Sequence, residues 1–315
     1  MVKKAKRALV TGGAGFIGSH LCDALLSGGQ EVICLDNFAT GRRRNISKAL
    51  ESPLFTLAEV DVTEPFDLEV DYIYDLASPA SPADYYSMPV KTLLANSMGS
   101  RNCLELAKRL GVRMLLASTS EVYGDPEVTP QREDYYGHVN PVGPRSCYDE
   151  GKRFAEALCK AFEREHGVEV VIVRIFNTYG SRMRADDGRV VPNFICQALD
   201  GEPMTIYGDG SQTRSFCHVS DMVKALVLAM QTPEACGEVI NAGNPDEMRI
   251  IDLAARLREK TGTPSPLAFE PLPEDDPLQR KPDITRAMKV LGWAPQVGLD
   301  EGLDDAMAWF RDRRE

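Results

Sequence analysis

No two cysteines in the 315-residue sequence stand at the C-x-x-C spacing of a zinc or redox site, although there are 8 of them, at 22, 34, 103, 147, 159, 196, 217 and 236. That scatter excludes a zinc ribbon and a disulfide framework, and the thiols are expected reduced and mostly in the core. The 4 histidines, His20, His138, His166 and His218, show no metal-ligand spacing, so no metal is expected. Basic residues are in the minority. Against 47 Asp and Glu there are 36 Lys and Arg, a net charge of −11, which disfavours nucleic acid and anionic lipid as partners but leaves room for a small anionic substrate in a local basic pocket. No apolar run approaches the roughly 20 residues of a membrane span. The basic start, Met1 to Leu9, turns at Thr11-Gly12-Gly13 before a signal-peptide core develops, and a cytoplasmic location is expected. Internal repeats are absent too, which excludes a solenoid.

With 43% hydrophobic residues, the chain can bury a large core in one domain or two intimately joined ones. Short apolar runs at Ala8–Thr11, Glu31–Leu35, Phe55–Glu59, Asp71–Leu76, Arg113–Ala117 and Glu169–Ile175 predict strands. Amphipathic stretches at Phe16–Ser27, Val90–Leu110 and Tyr148–Glu165 predict helices. That alternation is the pattern of βαβ units, so the expected fold is α/β: a Rossmann-type doubly wound parallel sheet with its ligand at the carboxyl ends of the strands. Beyond about residue 176 the rhythm breaks into shorter segments rich in Gly and Pro, including Arg182–Pro192, Gly208–Ser211 and Pro264–Pro277. A smaller, irregular C-terminal lobe for substrate is expected over 177–315, beside a dinucleotide domain over 1–176. Strands at Phe216–Val219 and Glu238–Asn241, flanking a helix at Asp221–Gln231, suggest that 216–241 returns to the first domain.

Gly12, Gly15 and Gly18 form a Gly-x-x-Gly-x-x-Gly run, with Phe16 and Ile17 inside it, directly after the first strand and opening the first helix. Such glycines permit a tight turn and close backbone approach, so that a pyrophosphate sits on free N–H groups at the positive end of a helix. Asp36 closes the second strand where a carboxylate can accept from both ribose hydroxyls, favouring NAD over NADP. Arg42, Arg43 and Arg44 follow closely, as a solvated loop, a pyrophosphate clamp or a 2′-phosphate site. Asp61 and Val62 are expected at the adenine edge, and Leu76, Ala77 and Ser78 along the pyrophosphate and nicotinamide ribose.

Tyr148 and Lys152 stand at i and i+4, on one helical face. A free phenol near 10 is a poor base at pH 7, but an adjacent ammonium and an oxidised nicotinamide both stabilise the phenolate. Tyr148 can then take the hydroxyl proton of an alcohol that is being oxidised. Upstream, Ser118-Thr119-Ser120-Glu121-Val122-Tyr123-Gly124 ends a strand.

With these motifs the chain resembles the extended short-chain dehydrogenases/reductases that act on nucleotide sugars. Its Ser120-Glu121 is similar to the pattern of UDP-glucuronic acid decarboxylases, or UDP-xylose synthases, where 4,6-dehydratases carry Asp-Glu and 4-epimerases small or neutral residues. The similarity runs nearly end to end, through Asp36-Asn37-Phe38, Ala77-Ser78-Pro79-Ala80-Ser81-Pro82, Cys147-Tyr148-Asp149-Glu150-Gly151-Lys152-Arg153, Arg174-Ile175-Phe176-Asn177-Thr178-Tyr179-Gly180 and Arg280-Lys281-Pro282-Asp283. Two positions depart from it: Ser181 stands where many relatives have Pro, and Ala39 where an aromatic is frequent. The membrane anchor of animal members has no counterpart, an expectation of a soluble enzyme of the bacterial kind.

The resemblance implies a tightly held NAD and a UDP-glucuronate substrate that is oxidised at C4, decarboxylated and reduced again to UDP-xylose. Thr119 and Tyr148 would carry the O4 proton, and Lys152 would hold the ribose. Ser120 and Glu121 would lie at the carboxylate end, where a like charge destabilises the bound carboxylate or orients a water. The cofactor set extends to Asn37, Phe38, Thr40, Gly41 and Thr178. Arg189, Arg214 and Arg280 are implied for the UDP diphosphate, Arg280 also as an acid or carboxylate ligand, Asn177 for the sugar diphosphate, and Tyr207 with Gln212 for the uridine. The helices around Val90–Leu110 and Tyr148–Glu165 would form a four-helix homodimer interface. Three rivals stand beside this reading: an oxidative decarboxylase that releases UDP-4-keto-pentose and NADH, a 4-epimerase, and an NAD-sensing Rossmann protein. The last needs no activated phenol.

Overall fold

In the computed structural model, which describes residues 5–272, 277 and 279–312, the apolar runs of the first half are strands and the amphipathic stretches between them helices. The first half comprises β1 (Arg7–Thr11), α1 (Phe16–Ser27), β2 (Glu31–Leu35), β3 (Phe55–Ala58), β4 (Tyr72–Asp75), α2 (Pro82–Ser87), α3 (Pro89–Leu94), α4 (Ser100–Leu110), β5 (Arg113–Thr119), α5 (Ser146–His166) and β6 (Val170–Ile175). There follow β7 (Thr178–Tyr179), α6 (Val190–Asp200), β8 (Met204–Tyr207), β9 (Thr213–Ser215), β10 (Cys217–His218), α7 (Val219–Gln231), β11 (Val239–Ala242), β12 (Glu247–Arg249), α8 (Ile250–Thr261), β13 (Leu267–Glu270), β14 (Gln279–Arg280) and α9 (Leu299–Arg311).

Among the described residues seven strands pair in the order β11-β6-β5-β4-β1-β2-β3, all in parallel. Successive side chains of each strand enter opposite layers. Ala8, Val10, Tyr74 and Leu115 pack with α1 and α7, through Leu21, Leu25, Met222 and Leu226. Leu9, Ile73, Met114 and Leu116 pack with α4 and α5, through Cys103, Leu104, Cys159 and Phe162. Burial on both faces is why these strands read as unbroken apolar runs. Chain order reverses between β1 and β4, which opens a crevice at their carboxyl ends.

The second half holds more regular structure than its Gly and Pro content suggested. Helices α6, α8 and α9 share a third core around Phe194, Ile195, Leu253, Leu257, Leu303 and Phe310. Their prolines and glycines serve as punctuation: Pro192 lies in the first turn of α6, and Gly201 and Gly262 end α6 and α8 with φ of 71° and 65°. The strand expected at Phe216–Val219 shrinks to β10, because Val219 already begins α7.

The helix expected over Val90–Leu110 contains a π turn at Ala95–Gly99 between α3 and α4. A Cβ on Gly99 would come 2.7 Å from Val62 Cγ1, so the backbone passes Val62 closely there. The same turn carries Asn96, whose amide donates to Ser78 Oγ at 2.9 Å. A π turn at the edge of a site is a common device for aiming one side chain. No helix among the described residues is long and apolar enough to cross a membrane.

Candidate active site

The crevice is a cavity of about 670 Å³ running from the glycine-rich turn to β14. At one end Gly12 has φ 67°, and a Cβ on Gly18 would meet Gly12 O at 2.2 Å. Any side chain there would close the turn. Gly15 caps α1 without a side-chain acceptor, so the first N–H groups of the helix keep their capacity to bind an anion. Asp36 Oδ2 and Oδ1 accept from Ala14 N–H at 2.9 Å and Phe38 N–H at 2.8 Å, which fixes the carboxylate at the cavity wall. These features fit the pyrophosphate and adenosine ribose of NAD. Asn37, Thr40, Asp61, Val62, Leu76, Ala77, Ser78 and Thr178 line the same half, and Asn37 Nδ2 donates to Asp61 at 2.8 Å.

Two expected cofactor residues stand back from the wall. Phe38 packs on the main core with φ 57° and the Arg43 guanidinium 5.0 Å from its ring. Gly41 lies behind Asp36, whose oxygens would be 2.8 and 2.9 Å from its Cβ. Both support Asp36 rather than line the cavity. The three arginines are engaged elsewhere: Arg43 with Glu59, Arg42 with Asp186, and Arg44 over the Trp309 ring. None lines the cavity, in keeping with NAD.

Thr119 ends β5, and Tyr148 and Lys152 lie one turn apart on α5. Lys152 Nζ donates to Ala117 O at 2.8 Å in a fully buried position. Below it Asp75, the last residue of β4, accepts from Thr11 Oγ1 at 2.9 Å and Ser100 Oγ at 2.7 Å. Burial draws Lys152 down to about 8, opposed by the charge of Asp75. Burial also pushes Tyr148 up to about 12, and Glu121 adds to this, against a hydrogen bond with Thr119 and the charge of Arg189. The expectation that Lys152 and an oxidised nicotinamide together stabilise the phenolate concerns the cofactor-bound site, whereas in the protein alone desolvation dominates.

Glu121, expected as a like charge beside the bound carboxylate or as a group orienting a water, is an ion-paired carboxylate. Its carboxylate is held by Arg280 through both oxygens and by Arg145 at 2.5 Å. Burial opposes its ionisation, but the two guanidinium groups hold it well below the usual carboxylate range. Arg280 thus lies in the cavity wall paired with Glu121, near Ser120 and Thr119. Of the other arginines, Arg189 forks onto Asp187 at 2.5 and 2.7 Å beside Tyr148. Arg214 donates to Thr213 O and Pro277 O at the far wall. Asn177, Tyr207 and Gln212 also line the cavity, and Gln212 donates to Tyr207 O at 2.7 Å.

Sequence reasoning missed three residues here. Tyr85, on the short helix α2, stacks on Tyr148 at 5.4 Å and 8°, and its buried hydroxyl has no partner among the described residues. Arg145 caps α5, binds Glu121, and lies 5.8 Å from the Tyr85 ring and 3.9 Å from Asp149. Asp75 is the counter-charge of Lys152. Only Asp75 had a signal, a carboxylate closing an apolar parallel strand. Among the described residues no group of three or more His, Cys, Asp or Glu could hold a metal ion.

The two titrating groups set a pH profile. Phenolate rises tenfold per unit below the Tyr148 value, while the Lys152 charge that stabilises it is lost as the pH rises through about 8. First-turnover NADH formation is expected to climb with pH and bend flat near 8. Stopped-flow absorbance over roughly pH 6 to 10 checks this, and Lys152→Met should lose both the bend and most of the rate.

A model of the NAD dependent epimerase/dehydratase family matches residues 8–243, and the chain belongs to that family. UDP-glucuronic acid decarboxylase 1 of Danio rerio is 54% identical over 308 residues, which cover 98% of this chain and 73% of that protein. UDP-glucuronic acid decarboxylase 1 of Arabidopsis thaliana is 53% identical over 311 residues, 99% of this chain and 71% of that one. Among solved structures, UDP-glucuronic acid 4-epimerase from Bacillus cereus, in complex with UDP-glucuronic acid and NAD, superposes with a TM-score of 0.89 at 31% identity. The match covers 98% of this chain and 99% of that one. NAD is the cofactor of the family and fits the glycine-rich half of the cavity.

Proposed function

We propose that the chain is a UDP-glucuronate decarboxylase that forms UDP-xylose. The observation that carries this reading is the Thr119–Tyr148–Lys152 set facing a carboxylate-bound pair of arginines in one cavity with the dinucleotide turn. NAD, when bound, supplies the acceptor and later donor of the C4 hydride. Tyr148 takes the O4 proton, relayed by its hydrogen bond with Thr119, and Lys152 stabilises the phenolate. A C4 ketone lies β to the C6 carboxylate, so the C5–C6 bond breaks, CO₂ leaves and its electron pair enters an enolate. Arg280 meets the carboxylate before it leaves, through N–H donors beyond the two that hold Glu121. Protonation at C5 and reduction at C4 then complete UDP-xylose, with Tyr148 returning the proton to O4.

Residues 1–176 and 216–241 hold the cofactor in this reading, supported by the pairing of β11 with β6, and the remainder of 177–315 holds the sugar nucleotide. A cytoplasmic location is supported by eight free cysteines, six of them buried. The protein works as a homodimer, supported by the exposed apolar side chains Val90, Leu93, Met98 and Phe154 on α3, the π turn and α5. Phe154→Glu with Leu93→Glu should convert a dimer to a monomer in sedimentation velocity at unchanged helical content. The activity is tested by proton NMR of UDP-glucuronate with catalytic NAD⁺, read together with the NADH absorbance. UDP-xylose without lasting NADH supports the proposal. A 4-keto-pentose with stoichiometric NADH, or a UDP-galacturonate product, replaces it with the oxidative or epimerising alternative.

A further inference from the structure

Glu121 and Arg280 are 159 positions apart, and they meet because the segment after Arg280 is pinned from behind. β14 has only two residues, paired with β9. The next three residues run against Gln131, which is fully buried. Gln131 N–H donates to Lys281 O at 2.8 Å, and its carbonyl accepts from Asp283 N–H at 2.8 Å. Its side-chain Oε1 accepts from Lys281 N–H at 2.7 Å, while Nε2 donates to Val128 O at 2.9 Å and Thr129 Oγ1 at 3.2 Å.

The clamp continues to the turn that carries Glu121. Asn241 on β11 donates through Nδ2 to Gln131 O at 3.0 Å and Asp283 O at 3.1 Å, and its Oδ1 accepts from the Tyr123 hydroxyl at 2.8 Å. Tyr123 follows Glu121 by two residues and accepts from Arg174, which forks onto Glu156 at 2.9 and 2.8 Å. Glu156 in turn accepts from Ser118, the neighbour of Thr119, at 2.6 Å. A buried network satisfied in this way is rigid. An arginine on a flexible stem is not, so the ion pair with Glu121 leaves the main chain at Arg280 undetermined.

We propose that Gln131 is a positioning residue for Arg280. It fixes the main chain beside Arg280 so that the guanidinium meets both Glu121 and the sugar carboxylate. The inference rests on the reading of Arg280 as the group that meets that carboxylate.

The test compares Gln131→Met, which keeps length and loses the acceptor for Lys281 N–H, with Gln131→Glu, which buried as the neutral acid keeps that acceptor and a donor toward Val128 O. KM for UDP-glucuronate is measured beside the calorimetric Kd for UDP, which has no carboxylate to meet Arg280. Gln131→Met is expected to raise KM about tenfold, the equivalent of one lost hydrogen bond, with the Kd for UDP unchanged. Gln131→Glu should restore most of the loss, and adding Arg280→Ala to Gln131→Met should cost no more than Arg280→Ala alone. Asn241→Ser cuts the same clamp from the other side and gives the same readouts if Gln131→Met does not fold. An unchanged KM, parallel rises in KM and in the Kd for UDP, or losses that multiply in the double variant overturn the proposal. A normal KM in Arg280→Ala alone is a separate result that overturns the carboxylate reading and the proposal with it.

Discussion

Tyr148→Phe is expected to lower turnover about 100- to 10,000-fold, the range for removal of a positioned acid–base group, while the protein still purifies with NAD. The phenol is the group bonded to Thr119, one helical turn from Lys152 and stacked on Tyr85. A phenylalanine keeps that stack and most of the buried area. Its structural cost is limited to the unpaired Thr119 hydroxyl, about 1 kcal/mol. Cofactor content after gel filtration and the melting temperature should therefore stay near wild type while single-turnover NADH formation collapses. A variant that keeps its rate would remove Tyr148 from the proton path.

Glu121→Gln should be the most destabilising single change in the site. The carboxylate lies between Arg145 and Arg280, and the Glu121, Arg145 and Arg280 side chains are 13%, 9% and 5% exposed. Neutralising it removes the carboxylate that the two buried guanidinium groups share, with Asp149 remaining 3.9 Å from Arg145, a loss of about 3–5 kcal/mol. The pH dependence follows in sign. Glu121 is held below its ordinary value, so its contribution is present above about 4.5 and is lost as the pH falls toward about 2. Denaturant midpoints of wild type and Glu121→Gln should be well separated at neutral pH and converge in acid. With Arg280 no longer anchored, turnover should also fall about 100-fold, as expected when a contact group is displaced by about 1 Å. Equal midpoints at neutral pH would mean that the pair contributes nothing to folding.

The doubly wound sheet was legible because strands buried on both faces leave unbroken apolar runs, and because Gly12, Gly15 and Gly18 mark a strand-to-helix turn where a side chain would strike the backbone. Tyr148 and Lys152 were legible from helical spacing only together with the glycine-rich turn and the strand end at Ser118-Thr119-Ser120. Helix α2 was hidden in a Pro-rich stretch, since Pro82 opens the helix and Ser81 accepts from Asp84 N–H as its cap. Arg145 carries no local signal, because its meaning comes from Glu121, 24 positions earlier, and from Tyr85 across the cavity. The ion-paired state of Glu121 depends on Arg280 from a distant strand, and nothing local in Ser120-Glu121 signals it. Burial raises the Tyr148 phenol for a similar reason. Spacing reports which groups are neighbours, whereas desolvation depends on everything packed around them.

The proposed chemistry stands or falls on the hydrogen at C4. UDP-glucuronate deuterated at that carbon, turned over with catalytic NAD⁺ and followed by proton NMR, should give UDP-xylose that retains the deuterium at C4. In D₂O the same reaction on unlabelled substrate should place deuterium at C5. Product that has lost the C4 label, or label found in free NADH beside a 4-keto-pentose, would contradict a closed cycle within the one cavity.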